Sequence, residues 1–214
     1  LFEDYPMKLS ELFEELAYGE VSDLSMAQDG LIKEDQQAKV TIKINDTLLS
    51  LYTKYVIRLV DSQIDMTTKA LRYDFVNPNS VKIVYARPEL PNPEDIYRNE
   101  DHFAIQGNSI VFKKLPEMGE LSITYQWKPS KLKINPTSRG FLDQEVNIDP
   151  VLAPLVRTLV ASSIFNGMNG EAHKASGVGL YNQAQIMQAE LEASGALTTS
   201  VAYVNHRFHK NGFK

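Results

Sequence analysis

The 214-residue chain has no cysteine. That excludes a disulfide framework, a thiolate nucleophile and a cysteine-held zinc site. Four histidines are left as soft metal ligands, and tryptophan occurs once. No apolar run approaches the roughly 18 residues a membrane-spanning helix needs. The first residues show no basic start followed by an apolar core, so no secretory leader is expected. No Gly-Lys-Ser/Thr occurs, which removes a P-loop. Positive charge is also scarce, with 22 Lys and Arg against 27 Asp and Glu, a net charge of −5. Tight non-specific nucleic-acid binding needs clustered cations that release counterions, and this balance argues against it.

What is present is enough for one sizeable core and a second small module, with 43% hydrophobic residues. The charge is unevenly spread. Residues 1–37 hold ten acids and two bases, a net −8, and residues 195–214 hold three bases and no acid. An acidic head and a basic tail point to separate contacts at the two ends. Ordinary solubilising surface charge is the alternative.

The chain is organised around the stretch from Asp35 to Val60. Ile44, Leu48, Leu51, Tyr52, Tyr55 and Leu59 recur at three-and-four spacing, so they form the expected core of a central helix. Asp35 stands where an N-cap carboxylate would accept the first free amide protons. Val40, Thr41, Ile42 and Ile44 are β-branched and weaken helix propensity, so packing must hold this helix. Before it, Ser10 starts a short helix, SELFEELAYG, on which Leu9, Leu12, Phe13 and Leu16 form one stripe, with Gly19 as a left-handed stop. Residues 20–34 read as a loop.

After the long helix the period drops to two. Met66, Leu71, Tyr73 and Phe75 begin a strand-like segment, Asn77 to Ser80 form a turn, and Val81, Ile83 and Tyr85 alternate with their neighbours. Residues 87–101 hold three prolines and five acids and read as a loop. His102 to Gln106 and Ile110 to Lys113 flank Gly107-Asn108 as a hairpin. Leu121, Ile123, Tyr125 and Trp127 make the clearest strand of an antiparallel meander. Residues 129–148 lead back to helices. Asp149-Pro150 or Ala153-Pro154 opens one with Leu152, Val156, Leu159, Val160 and Ser163 inward. Asn166 to Gly170 breaks it, and Leu180 to Ser194 forms the last helix with Leu180, Ala184, Met187 and Leu191 on one face.

Helices, then strands, then helices predict an α+β fold. The expected architecture is a bundle of about four helices (residues 1–62 and 149–198) with an inserted antiparallel β-module (63–148). An extended C-terminal arm (199–214) completes it.

Chemistry is sparse. Gly177-Val178-Gly179 lacks the preceding strand and third glycine of a phosphate loop, and reads as a flexible helix entry. Ser162, Ser163 and His173 lack the strained turn that presents a nucleophile. His206 and His209 share a helical spacing without a completing carboxylate. Asp143, Glu145 and Asp149 lack the glycine and terminal glutamate of a calcium loop, although a hydrolytic acid pair is conceivable. Asn45-Asp46-Thr47 is a glycosylation sequon placed inside the central helix. No catalytic residue, metal site or cofactor is expected. The arm is more telling: Tyr203, Phe208 and Phe213 stand among His206, Arg207, His209 and Lys210. Such an aromatic, basic arm fits pockets and acids on a partner, or folds back on its own domain.

Four stretches together carry a resemblance: LSELFEELAYGEVSDL at 9–24, INDTLLSLYTKYVI at 44–57, LYNQAQIMQAEL at 180–191 and RFHKNGF at 207–213. In these the chain resembles the head-to-tail adaptor (connector) proteins of tailed bacteriophages. The resemblance implies a structural virion protein, assembled in the bacterial host cytoplasm as a homo-oligomeric, dodecameric ring at the head-tail junction. Its implied partners are other copies of itself, the portal protein above and the next tail component, a tail tube or nozzle, below. DNA would pass through the channel on ejection without sequence-specific binding, and no membrane is involved. The portal-docking arm is carried over as Arg207, Phe208, Gly212 and Phe213, and Lys210 joins it as a cation that would meet acids on the partner. Two alternatives stand beside it: a stalked β-module that binds a tail fibre or cell surface, and, last, a hydrolytic enzyme.

Overall fold

A computed structural model describes residues 7–66, 68, 70–89, 103–116 and 119–199, with only the backbone of Pro88 and Glu89. The fold is α+β, and among the described residues four α-helices flank a run of antiparallel strands. It divides into a mainly helical unit, residues 1–51 with 129–196, and a β unit, residues 52–128 with 197–214. Residues 52–62 were expected with the helices and 129–148 with the strands. Two sets of polar contacts explain why each goes the other way.

The helical unit opens with β1 (Met7–Lys8), which pairs antiparallel with β10 (Glu145–Val146). This pairing ties the 129–148 connection to the helices. Helix α1 (Leu9–Tyr18) follows, and its first turn is closed by Glu11, whose carboxylate accepts the Lys8 N–H at 2.9 Å. Leu9, Leu12, Phe13 and Leu16 are buried along one face. Gly19 ends the helix, but at φ −98° rather than in the left-handed region. Space is what requires glycine there, since a Cβ would lie 2.9 Å from the Glu15 carbonyl oxygen. The expected loop at 20–34 holds a small hairpin, β2 (Ala27–Gln28) and β3 (Leu31–Ile32). Asp29 and Gly30 turn it at φ 52° and 74°, as a two-residue turn twisted to match its strands requires.

Helix α2 spans Glu34–Lys54. It starts one residue before Asp35 because the Lys33 carbonyl accepts the Gln36 and Gln37 N–H groups. Asp35 therefore lies inside the first turn, and its carboxylate accepts from Gln36 Nε2 instead of capping the helix. The helix also stops six residues short of Val60. Buried Gln126 donates its Nε2 protons to the Tyr52 and Tyr55 carbonyls, satisfying groups that every helix C-terminus leaves open. Val56 N–H then bonds to the Thr198 carbonyl at 2.8 Å. These bonds hold residues 52–62 in the β unit. Ile44, Leu48, Leu51, Tyr52 and Tyr55 are buried, whereas Leu59, expected among them, lies on a strand and is 41% exposed.

Helix α3 (Ala153–Asn166) is preceded by a 3-10 turn, Pro150–Leu152, in which the Asp149 carboxylate accepts the Val151 N–H at 3.0 Å. Leu155, Val156, Thr158, Val160, Ala161, Ser162, Ile164 and Phe165 are all buried, so α3 is covered nearly all round. It, rather than α2, is the wrapped helix of this unit. It packs along α4 (Glu171–Ala193) and touches α1. Helix α4 begins nine residues before the expected Leu180 and absorbs Gly177-Val178-Gly179. Gly177 is a packing residue: a Cβ there would collide with the Asn166 side chain, and its carbonyl accepts from Ser162 Oγ at 2.8 Å. The glycine pair reads as a flexible helix entry in sequence because its role depends on a neighbouring helix.

Among the described residues the β unit has two three-stranded antiparallel sheets. One is ordered β4 (Leu59–Asp65), β9 (Glu120–Trp127), β6 (Ser80–Glu89); the other β5 (Arg72–Asp74), β8 (Ser109–Phe112), β7 (Phe103–Gln106). Strand β4 is weakly marked in sequence, because its inward face alternates as Val60, Ser62 and Ile64, only half-buried and interrupted by a serine. Strand β6 runs past the expected limit to include Pro88, which its edge position tolerates. Gly107, at φ 63°, turns β7 into β8 as the hairpin reading required. Met66, Ile83, Phe103, Ile110, Phe112, Leu121, Ile123 and Tyr125 pack into this unit's core.

Candidate functional site

The arm residues Arg207, Phe208, Lys210, Gly212 and Phe213 lie outside the described residues, as do Tyr203, His206 and His209. The groups weighed for chemistry in the described part are kept apart by structural duties. Ser162 donates to the Gly177 carbonyl and accepts from Asn166 Nδ2 at 3.3 Å. His173 sits in the first turn of α4 with its ring 6.0 Å from that of Phe165. Asp143 faces Lys8 at 3.4 Å, Glu145 lies in β10, and Asp149 holds the turn before α3. Among the described residues no three His, Cys, Asp or Glu side chains are placed to hold a metal ion.

The sequon asparagine has a definite task. Asn45 is buried, donates through Nδ2 to the Leu132 carbonyl at 3.0 Å and accepts the Leu132 N–H at 2.8 Å. It clamps the 129–148 connection onto α2, and its amide is closed to a sugar. Gln144 adds a second clamp, accepting the Lys133 N–H at 2.6 Å and donating to the Lys133 and Phe141 carbonyls.

The acidic head is concentrated on α1. Glu11, Glu14, Glu15 and Tyr18 line a cleft of about 560 Å³ closed by Arg157 from α3. Arg157 bonds Glu15 at 2.7 Å and faces Glu20 at 3.6 Å. One guanidinium thus answers two of the acids and pins α1 to α3. A second groove of about 340 Å³ runs between the start of α3 and the end of α4, lined by Val151, Pro154, Leu155, Met187 and Leu191 with Glu190 on its edge.

Uncovered apolar surface is the feature that structural duties leave unexplained. Among the residues of α4 only Gly177, Ala184 and Gln188 are buried. Val178, Tyr181 and Ile186 are half or more exposed, and Val151, at 58%, adds to them before α3. Ile42 and Leu49 are uncovered on α2. On the β unit Leu71, Leu115 and, at 91% exposure, Val76 face out. No helix among the described residues is long and apolar enough to cross a membrane.

One exposed polar network is tuned by its partners. Asp74 accepts from Ser109 Oγ at 2.6 Å and from Arg72 Nε at 2.8 Å. The hydroxyl bond first, and the guanidinium second, hold its carboxyl below the usual carboxylate value. A carboxyl lowered in the folded state adds stability above its unfolded value, near 3.9, and loses it as pH falls through the folded value. Asp74→Asn should therefore flatten the acid limb of urea midpoints measured between about pH 2 and pH 6. An unchanged limb would mean the network contributes nothing to folding.

No protein-family model matches the chain, and no curated protein matches it.

Proposed function

We propose that the chain is a structural virion protein of a tailed bacteriophage. It forms a homo-oligomeric ring that joins the capsid portal to the tail and surrounds the DNA exit channel. It works by packing and transforms no molecule. The observation that carries this reading is the uncovered apolar surface on α2 and α4, including Ile42, Leu49, Val178, Tyr181 and Ile186. Exposed apolar residues repeated along two long helices favour protein–protein contact, and ring subunits bury ~2,000 Å² or more in obligate contacts. The four stretches that resemble head-to-tail adaptors fall on α1, α2, α4 and the arm. They supply the partners: portal above, tail tube or nozzle below. Glu11, Glu14 and Glu15 favour a surface along which packaged DNA slides without sticking.

The test is electron microscopy and native mass of portal complexes purified from cells that make the chain. A ring stacked on the portal, with twelve copies, is expected. A chain found only outside assembled particles overturns the reading.

A second reading, a β-module that grips a tail fibre or cell surface, draws on Val76, Leu71 and Leu115 at the surface of the β unit. It requires Val76→Asp in the full chain to abolish fibre or cell binding while rings still form.

A further inference from the structure

Each of two helices of the helical unit buries one face and carries a second ordered row opposite to it. On α2 the outward row up to Leu51 is Asp35, Lys39, Ile42, Asp46 and Leu49, all exposed. On α4 it is Ala175, Gly179, Asn182, Ile186, Ala189 and Ala193, also all exposed. Both rows advance by alternating steps of four and three residues. That is the 3.5-residue repeat by which two helices mesh along a seam. The helices match in length, 21 and 23 residues, or about 32 and 35 Å at 1.5 Å per residue.

The rows also match in size, and Glu190, beside the α4 row, can answer the one lysine of the α2 row. The α2 row is bulky, and the α4 row is mostly alanine and glycine, the large-against-small arrangement that lets facing layers interlock. Run antiparallel, one register sets Ile42 against Ile186, Asp46 opposite Asn182 and Leu49 over Gly179. Asn182 can then donate its amide protons to the Asp46 carboxylate. The same register brings Lys39 beside Glu190. The opposed helix dipoles favour that direction as well.

We infer that these two faces are partners of each other in different copies of the chain: the α2 row of one subunit receives the α4 row of the next. This deepens the ring reading and rests on it. Because the two faces differ, each copy keeps one of each free after the first contact. Such a heterologous contact repeats and closes a ring when its rotation allows.

The lack of cysteine makes the test direct. Ile42→Cys/Ile186→Cys in the full chain, oxidised in portal complexes and in the purified chain at high concentration, should give a covalent ladder well beyond the dimer. Neither single variant should give one. Lys39→Glu should lower the assembled fraction several-fold, and adding Glu190→Lys should restore it. Dimers from Ile186→Cys alone would mean that α4 faces α4 across a two-fold axis, and would overturn the inference. Rings that form without a 42–186 crosslink would overturn it too, while leaving the ring reading in place. Absence of any assembly would sink both.

Discussion

Asn45→Ala is expected to destabilise the helical unit by about 3 kcal/mol, measured as a shift in the urea midpoint at constant slope. The substitution removes little apolar area. Its effect comes from Leu132, whose N–H and C=O both pair with the Asn45 amide at 2.8 and 3.0 Å. Each is stranded when the amide goes, and a buried unpaired backbone group costs about 1–3 kcal/mol. Leu132 is itself 5% exposed, so water cannot readily replace the lost partner. Asn45→Asp is the sharper variant. It keeps an acceptor for the Leu132 N–H, loses the donor to the Leu132 carbonyl and places a charge against that oxygen. It should be at least as damaging as Ala. Ile42→Ala, three residues away on the exposed side of the same helix, should change stability by less than about 0.5 kcal/mol. If Asn45→Ala were as mild, the clamp would be an accident of position.

Asn45 also marks where the sequence could and could not be read. The apolar period of α2 announced which side chains go inward, and Ile44, Leu48, Leu51, Tyr52 and Tyr55 do so. Period carries no information about a polar residue whose partner lies 87 positions away. Asn45 therefore looked like a chance sequon. The end of α2 was hidden for the same reason. Tyr55 continues the helical stripe, and Gln126, arriving from β9, supplies donors that let the backbone leave the helix there. Gly177 repeats the pattern, since its meaning lies in Asn166 of the preceding helix. Local signals were legible where local chemistry decides the outcome, as at Gly107 and in the alternation of β9. The Asp29-Gly30 hairpin is equally local, but its flanking strands of two residues each are too short to show an alternating period. The candidate assembly rows needed the structure. A row of Ala, Gly, Asn and Ile looks ordinary until its opposite face is seen to be buried and itself uncovered.

Deleting residues 200–214 should leave the thermal midpoint of the chain unchanged and abolish its docking to portal complexes, read as loss of co-sedimentation. The proposed role of Arg207, Phe208, Lys210 and Phe213 demands the second result, because aromatic anchors flanked by cations concentrate binding energy in a few contacts. The structure sets the boundary for the first. Leu197 is 2% exposed, and the Thr198 carbonyl accepts the Val56 N–H at 2.8 Å just after α2 ends. A cut after Thr199 spares both. A cut after Ala196 removes a buried leucine and orphans the Val56 donor, and should cost about 2–5 kcal/mol. The two truncations thus separate an arm that serves a partner from a segment that serves the fold. Should the shorter deletion also unfold the chain, the arm would belong to its own core and the docking assignment would fall. Should it leave docking intact, the contact with the portal would have to come from the described surface, where the acids of α1 and the open rows of α2 and α4 would be the next places to substitute.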